Sequence, residues 1–60
     1  MEIESNNTAL RLKEQGNAAY KQQDYQKAIS YYSMAIKEYP SDPSFYSNRC
    51  LCYFNIGRLP

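Results

Sequence analysis

Histidine is missing from this sequence altogether. With it go the usual general base and a principal zinc ligand. Cysteine is limited to Cys50 and Cys52, too few for the disulfide framework of a small secreted domain. Two positions apart on a helix, they point to different sides and are poorly placed to bond to each other. They also fall short of the four ligands of a structural zinc site, so neither metal nor cofactor is expected. Charge of one sign never accumulates. Seven Lys and Arg face six Asp and Glu, for a net charge of +1, and the cations are scattered from Arg11 to Arg58. That distribution lacks the basic face of a nucleic-acid binder and the basic run that draws a chain to a membrane surface. No stretch approaches the ~20 apolar residues of a membrane span. The opening, Met1 to Thr8, is polar and acidic, unlike a secretory leader. The expectation is a soluble protein of the cytoplasm, a reducing compartment.

Catalytic groups are equally sparse. Glu14, Asp24, Glu38 and Asp42 are dispersed over helix surfaces and corners, with no nucleophile–base pair and no phosphate-binding loop. The chain is therefore expected not to be an enzyme.

What is present is helical periodicity, interrupted twice. Residues 1–7 read as a flexible lead-in, with Asn6, Asn7 or Thr8 available as a helix cap. A first helix is expected over about 8–22, where Leu12, Ala19 and Tyr20 share a face. Gly16 lies inside it at a cost of about 1 kcal/mol relative to alanine, which points to a close approach by another helix. Gln23-Asp24 makes a corner. A second helix over about 25–38 sets Ala28, Tyr32 and Ala35 in one line and Ile29 and Ile36 in the next, and it stops before Pro40 because proline disfavours helical geometry in its predecessor. Asp42 caps a third helix with Pro43 at its first position, where the missing amide is harmless. That helix carries Tyr46, Cys50, Tyr53 and Phe54 and ends at Gly57. Short connections make neighbouring helices antiparallel, so the fold class is all-α, three helices in an up-down-up arrangement.

The first and third helices align by a shift of 34: Leu12 meets Tyr46, Gly16 meets Cys50 and Ala19 meets Tyr53, the period of a tetratricopeptide repeat. In order and spacing Gly16, Tyr25, Ala28, Tyr32, Ala35 and Pro40 resemble the residues of that family. Leu12, Gln15 and Ala19 depart from it, standing where tryptophan, leucine and tyrosine are usual. The resemblance covers about residues 9–58. It implies a first repeat over 8–42 and the first helix of a second, truncated repeat over 43–60. Cys50 then takes a small-residue packing position.

Lys13-Glu14-Gln15-Gly16-Asn17 and Asn48-Arg49 are similar to the dicarboxylate-clamp subgroup found in co-chaperones. The resemblance implies that Lys13, Asn17 and Asn48 bind the free C-terminal carboxylates of heat-shock chaperone tails, with two further basic residues supplied by the next repeat. The residue types suit that role. Lys13 and Asn17 stand four apart on one helical face; lysine offers a compact cation, and asparagine amides donate oriented hydrogen bonds. The plain alternative is a solvated lysine and polar helix surface. Arg49 reads as structural, pairing with an acid such as Glu14 or Asp24. The seven tyrosines follow helical spacing and read as packing residues, their buried hydroxyls in need of partners. Two function classes stand: a peptide-binding module of a co-chaperone, and an architectural repeat segment in a larger assembly. Because repeats bury their apolar faces by stacking on neighbours, the chain is expected to self-associate or to depend on a partner for stability.

Overall fold

The computed structural model describes the backbone of residues 2–57 and the side chains of residues 7–57. Three α-helices follow one another: α1 (Glu2–Lys21), α2 (Tyr25–Glu38) and α3 (Pro43–Asn55). Helix α1 begins well before the caps offered at Asn6, Asn7 and Thr8, all of which lie inside it. The lead-in expected over 1–7 is thus helical from Glu2. Nothing between Glu2 and Thr8 breaks a helix, since Asn, Ser and Thr cost only tenths of a kcal/mol each.

The corner after α1 is a Schellman closure. The Asp24 amide donates to the Ala19 carbonyl and the Gln23 amide to the Tyr20 carbonyl, both at 2.9 Å. Gln23 sits between them in the left-handed region, φ 64°, a position that glycine or asparagine more often fills. Asp24 then caps α2 by accepting from the Lys27 amide at 3.4 Å. Helix α2 closes at Tyr39, next to Pro40. Asp42 caps α3, accepting from the Ser44 amide at 2.9 Å and the Ser44 hydroxyl at 2.7 Å, with Pro43 in the first turn. Gly57 ends α3 with φ 69°, its amide donating to the Phe54 carbonyl.

Two clusters of buried side chains hold the helices together. Ala19, Ala28, Tyr32 and Cys52 form one, with Tyr20, Tyr25 and Ile29 packed on it. Ala9, Ala35 and Phe45 form the other, with Leu12, Ile36 and Tyr39 around it. The late part of α1 thus meets the early part of α2, and the late part of α2 meets the start of α3. This pairing makes both neighbours antiparallel. Gly16 is buried under Tyr32, where an added Cβ would lie 2.5 Å from the Tyr32 ring. The close approach expected of Gly16 is this contact.

Among the three helices the small-residue position of α3 is uncovered, and a different cysteine is packed. Cys50 is exposed, and the cysteine buried in α3 is Cys52. The face of α3 turned to α2 is set by Phe45 and Cys52, seven residues apart. The position shared by Gly16 and Cys50 faces the helix that follows, which for Gly16 is α2.

Candidate functional site

The three helices meet around a small cavity of 140 Å³ lined by Asn17 and Tyr20 of α1, Tyr32 of α2, and Asn48 and Leu51 of α3. The spacing explains the lining. Asn17 and Tyr20 stand three apart, as do Asn48 and Leu51, so each pair presents one polar and one apolar group on the same helical face. Asn55 ties the outer helices across this side, donating from Nδ2 to the Tyr20 hydroxyl at 2.9 Å and to the Leu51 carbonyl at 2.8 Å.

At the base of the cavity the Tyr32 hydroxyl donates to Asn17 Oδ1 at 2.5 Å. Tyr32 is 1% exposed, and burial pushes its phenol up to about 12, with smaller contributions from Cys52 and Tyr20. The hydroxyl keeps its proton across the physiological range and remains a donor. With Oδ1 satisfied by Tyr32, Asn17 retains the two N–H donors on Nδ2. Among the described residues no hydrogen bond engages those donors or the amide of Asn48. The site thus combines two asparagine amides with the apolar surfaces of Tyr20 and Leu51.

Of the three residues singled out from the sequence, Asn17 and Asn48 are brought together. Lys13 is half-buried, one turn before Asn17, and outside the cavity lining. Its charge is felt at the α3 cap: the Asp42 carboxyl lies below its ordinary range through the hydrogen bonds from the Ser44 side chain and backbone, with a smaller contribution from Lys13. Arg49 differs from its expected pairing. Its Nη1 donates to the Ser33 hydroxyl at 3.2 Å, and its guanidinium lies 6.0 Å from the centre of the Tyr46 ring. It reaches α2 and its own helix instead of Glu14 or Asp24. Tyr20 and Tyr25 pack edge to face, ring centres 5.3 Å apart. Tyr20, Tyr32 and Leu51 were not singled out as site residues. For Tyr20 and Leu51 the signal was available, three residues beyond each asparagine.

A second depression of 190 Å³ is lined by Gln15, Ala18, Ala19, Gln22, Asp24, Lys27 and Tyr31. It mixes both signs of charge, and its carboxylate already serves as the α2 cap. Among the described residues no three His, Cys, Asp or Glu side chains gather as metal ligands do, and no helix is long and apolar enough to cross a membrane.

A helical hairpin with a glycine seated under a tyrosine, followed by a third helix in the same alternation, repeats the pattern of one known family, and the family model for the tetratricopeptide repeat matches residues 9–42. The chain belongs to the tetratricopeptide-repeat family. Its repeat is similar to part of Hsp70-Hsp90 organizing protein 3 of Arabidopsis thaliana, 48% identical over 48 residues, which is 80% of this chain and 9% of that protein. It is 43% identical over 56 residues to the mitochondrial import receptor subunit TOM70 of Saccharomyces cerevisiae, covering 93% of this chain and 9% of that protein. It is 42% identical over 56 residues to DnaJ homolog subfamily C member 7 of Homo sapiens, covering 93% of this chain and 11% of that protein. The chain thus spans about a tenth of the length of these relatives. No solved structure matches it.

Proposed function

We propose that the chain is part of a peptide-binding surface that takes the acidic C-terminal tail of a heat-shock chaperone, with Lys13, Asn17 and Asn48 holding the terminal carboxylate region. The observation that carries this reading is the convergence of Asn17 and Asn48, from different helices, on one cavity with their N–H donors unengaged. A carboxylate only accepts hydrogen bonds, and amide donors beside a cation match that need. Lys13 supplies the cation from one turn away; its flexible stem reaches further than its backbone position. The relatives support the partner class, since several are named for organizing Hsp70 and Hsp90. The role is binding, not catalysis, and the proposed setting is the cytoplasm.

Calorimetry with a short Glu- and Asp-rich peptide, as the free acid and as the C-terminal amide, tests it. A hydrogen bond to a charged group contributes about 1.5–3 kcal/mol, so Lys13→Ala is expected to weaken the free acid about ten- to a hundredfold. Amidating the peptide should weaken binding to the wild type comparably. The Lys13 effect shrinks at high salt, where screening already reduces the attraction. Equal binding of both peptides to wild type and variant contradicts the proposal. That result favours an architectural role, for which the apolar surface of α3, with Leu51 and Phe54 exposed, offers the contact face.

A further inference from the structure

We infer that Tyr32 is a positioning residue for ligand binding: its buried hydroxyl holds the Asn17 side chain by Oδ1 and so presents the Nδ2 donors to an anion. The inference rests on the carboxylate-binding reading above and gives it a mechanism. An asparagine side chain has two chemically opposite ends. Rotated one way it offers two donors to a carboxylate; rotated the other way it offers an oxygen that repels it. Nothing in asparagine itself chooses between them, because the terminal torsion is broad and roughly two-fold.

The choice is made from below. The Tyr32 hydroxyl donates its proton to Asn17 Oδ1 at 2.5 Å, its one hydrogen bond among the described residues; with the asparagine turned over, the hydroxyl would accept from Nδ2 and leave its own buried proton without an acceptor. The ring that carries this hydroxyl is fixed on two sides. Gly16 leaves no room for a Cβ against it, and Ala19, Ala28 and Cys52 surround it in the core. Burial keeps the phenol protonated well above neutral pH, so the donor does not fail under physiological conditions. Gly16 and Asn17 are adjacent in sequence. The residue that lets the ring approach and the residue that the ring orients are thus parts of one local device. Asn48 lines the same cavity without a described hydrogen bond and adapts to the ligand that Asn17 has oriented. A hydroxyl that served only to join α1 to α2 would act on stability and treat all peptides alike. A positioning hydroxyl acts on the terminal carboxylate and works only through Asn17.

The test is a double-mutant cycle in the whole protein, by calorimetry, with wild type, Tyr32→Phe, Asn17→Ala and the double variant. The probes are a short Glu- and Asp-rich peptide with a free C-terminal carboxylate and the same peptide amidated. Tyr32→Phe should weaken the free acid about three- to tenfold, in line with the loss of one neutral hydrogen bond. It should leave the amide unchanged and have no further effect once Asn17 is alanine. Equal weakening of both peptides, an undiminished effect in the Asn17→Ala background, or no effect at all overturns the positioning role. Failure of the wild type to distinguish the two peptides overturns the carboxylate reading instead. Should Tyr32→Phe not fold, NMR of the wild type decides. A slowly exchanging Tyr32 hydroxyl proton with a cross-peak to the Asn17 amide supports the device, and a hydroxyl in fast exchange with water rejects it.

Discussion

Helices α1 and α3 carry the same half-repeat pattern 34 residues apart, yet their equivalent faces have opposite fates. On α1, Leu12 and Tyr20 are half-buried and Gly16 is buried, because α2 lies across them. On α3 the equivalent residues Tyr46, Phe54 and Cys50 are exposed, Phe54 by 66%. The reverse holds on the opposite face. Phe45 and Cys52 of α3 are fully buried against α2, whereas their counterparts Arg11 and Ala18 on α1 are exposed. A repeat position therefore has no burial of its own. Its burial is assigned by whichever helix packs beside it, so solvation here follows helix order more than residue type.

The largest effect that could break this comparison lies within α3. Phe45 and Phe54 are the same residue type on one helix with opposite burial. Phe45→Ala should destabilise by about 3–5 kcal/mol, as removal of a buried aromatic does, and Phe54→Ala by less than about 0.5 kcal/mol. Denaturant titration of the two variants reads the difference directly; equal losses would refute the assignment. Next in size are Gly16 and Cys50. Gly16→Leu overpacks Tyr32 and should cost about 1–3 kcal/mol, while Cys50→Leu, in open space, should be close to neutral by thermal melting.

A third expectation concerns the turn that closes α1. Gln23 holds a positive φ, which disfavours side chains with a Cβ by about 1–2 kcal/mol. Gln23→Gly should relieve this, and the greater freedom of glycine in the unfolded chain offsets part of the gain. A net rise of about 0.5–1 kcal/mol in unfolding free energy is expected, and a fall would contradict the Schellman closure.

The pH dependence has two arms. The Tyr32 phenol is raised by burial to about 12, so the unfolded chain ionises first, near pH 10. Its contribution is fully present below pH 10 and is lost as pH rises through 12. Tyr32→Phe should flatten that alkaline fall in the melting temperature. The Asp42 carboxyl is lowered by its bonds to Ser44, so its contribution is present above the ordinary aspartate range and is lost as pH falls below it. Asp42→Asn should flatten the acid arm, the smallest of these effects. An unchanged acid slope would remove Asp42 from the linkage.

The corners of the fold were legible because their chemistry is local. Asp24, Asp42 with Pro43, Gly57 and Pro40 act within a few residues of themselves, and each is found in its capping or terminating place. The start of α1 was not legible, since Asn6, Asn7 and Thr8 are competent caps that nothing compels to act as such. Cys50 and Cys52 exchanged roles because only the order of helices decides which is covered. Charge alone suggests an acidic partner for Arg49, while its reach across α2 brings it to Ser33. At the cavity, the resemblance pointed to both asparagines, but the hydroxyl that meets Asn17 could not be read from spacing. Its distance depends on how closely Gly16 lets α2 approach.

Carboxylate binding at the cavity is read most directly by an NMR titration that follows the side-chain amide resonances of Asn17 and Asn48. Both resonances are expected to move together, with a single dissociation constant, as a Glu- and Asp-rich peptide with a free C-terminal carboxylate is added. Both should stay nearly still when the peptide is amidated. Shifts of equal size with the two peptides, or movement of one asparagine without the other, would contradict it.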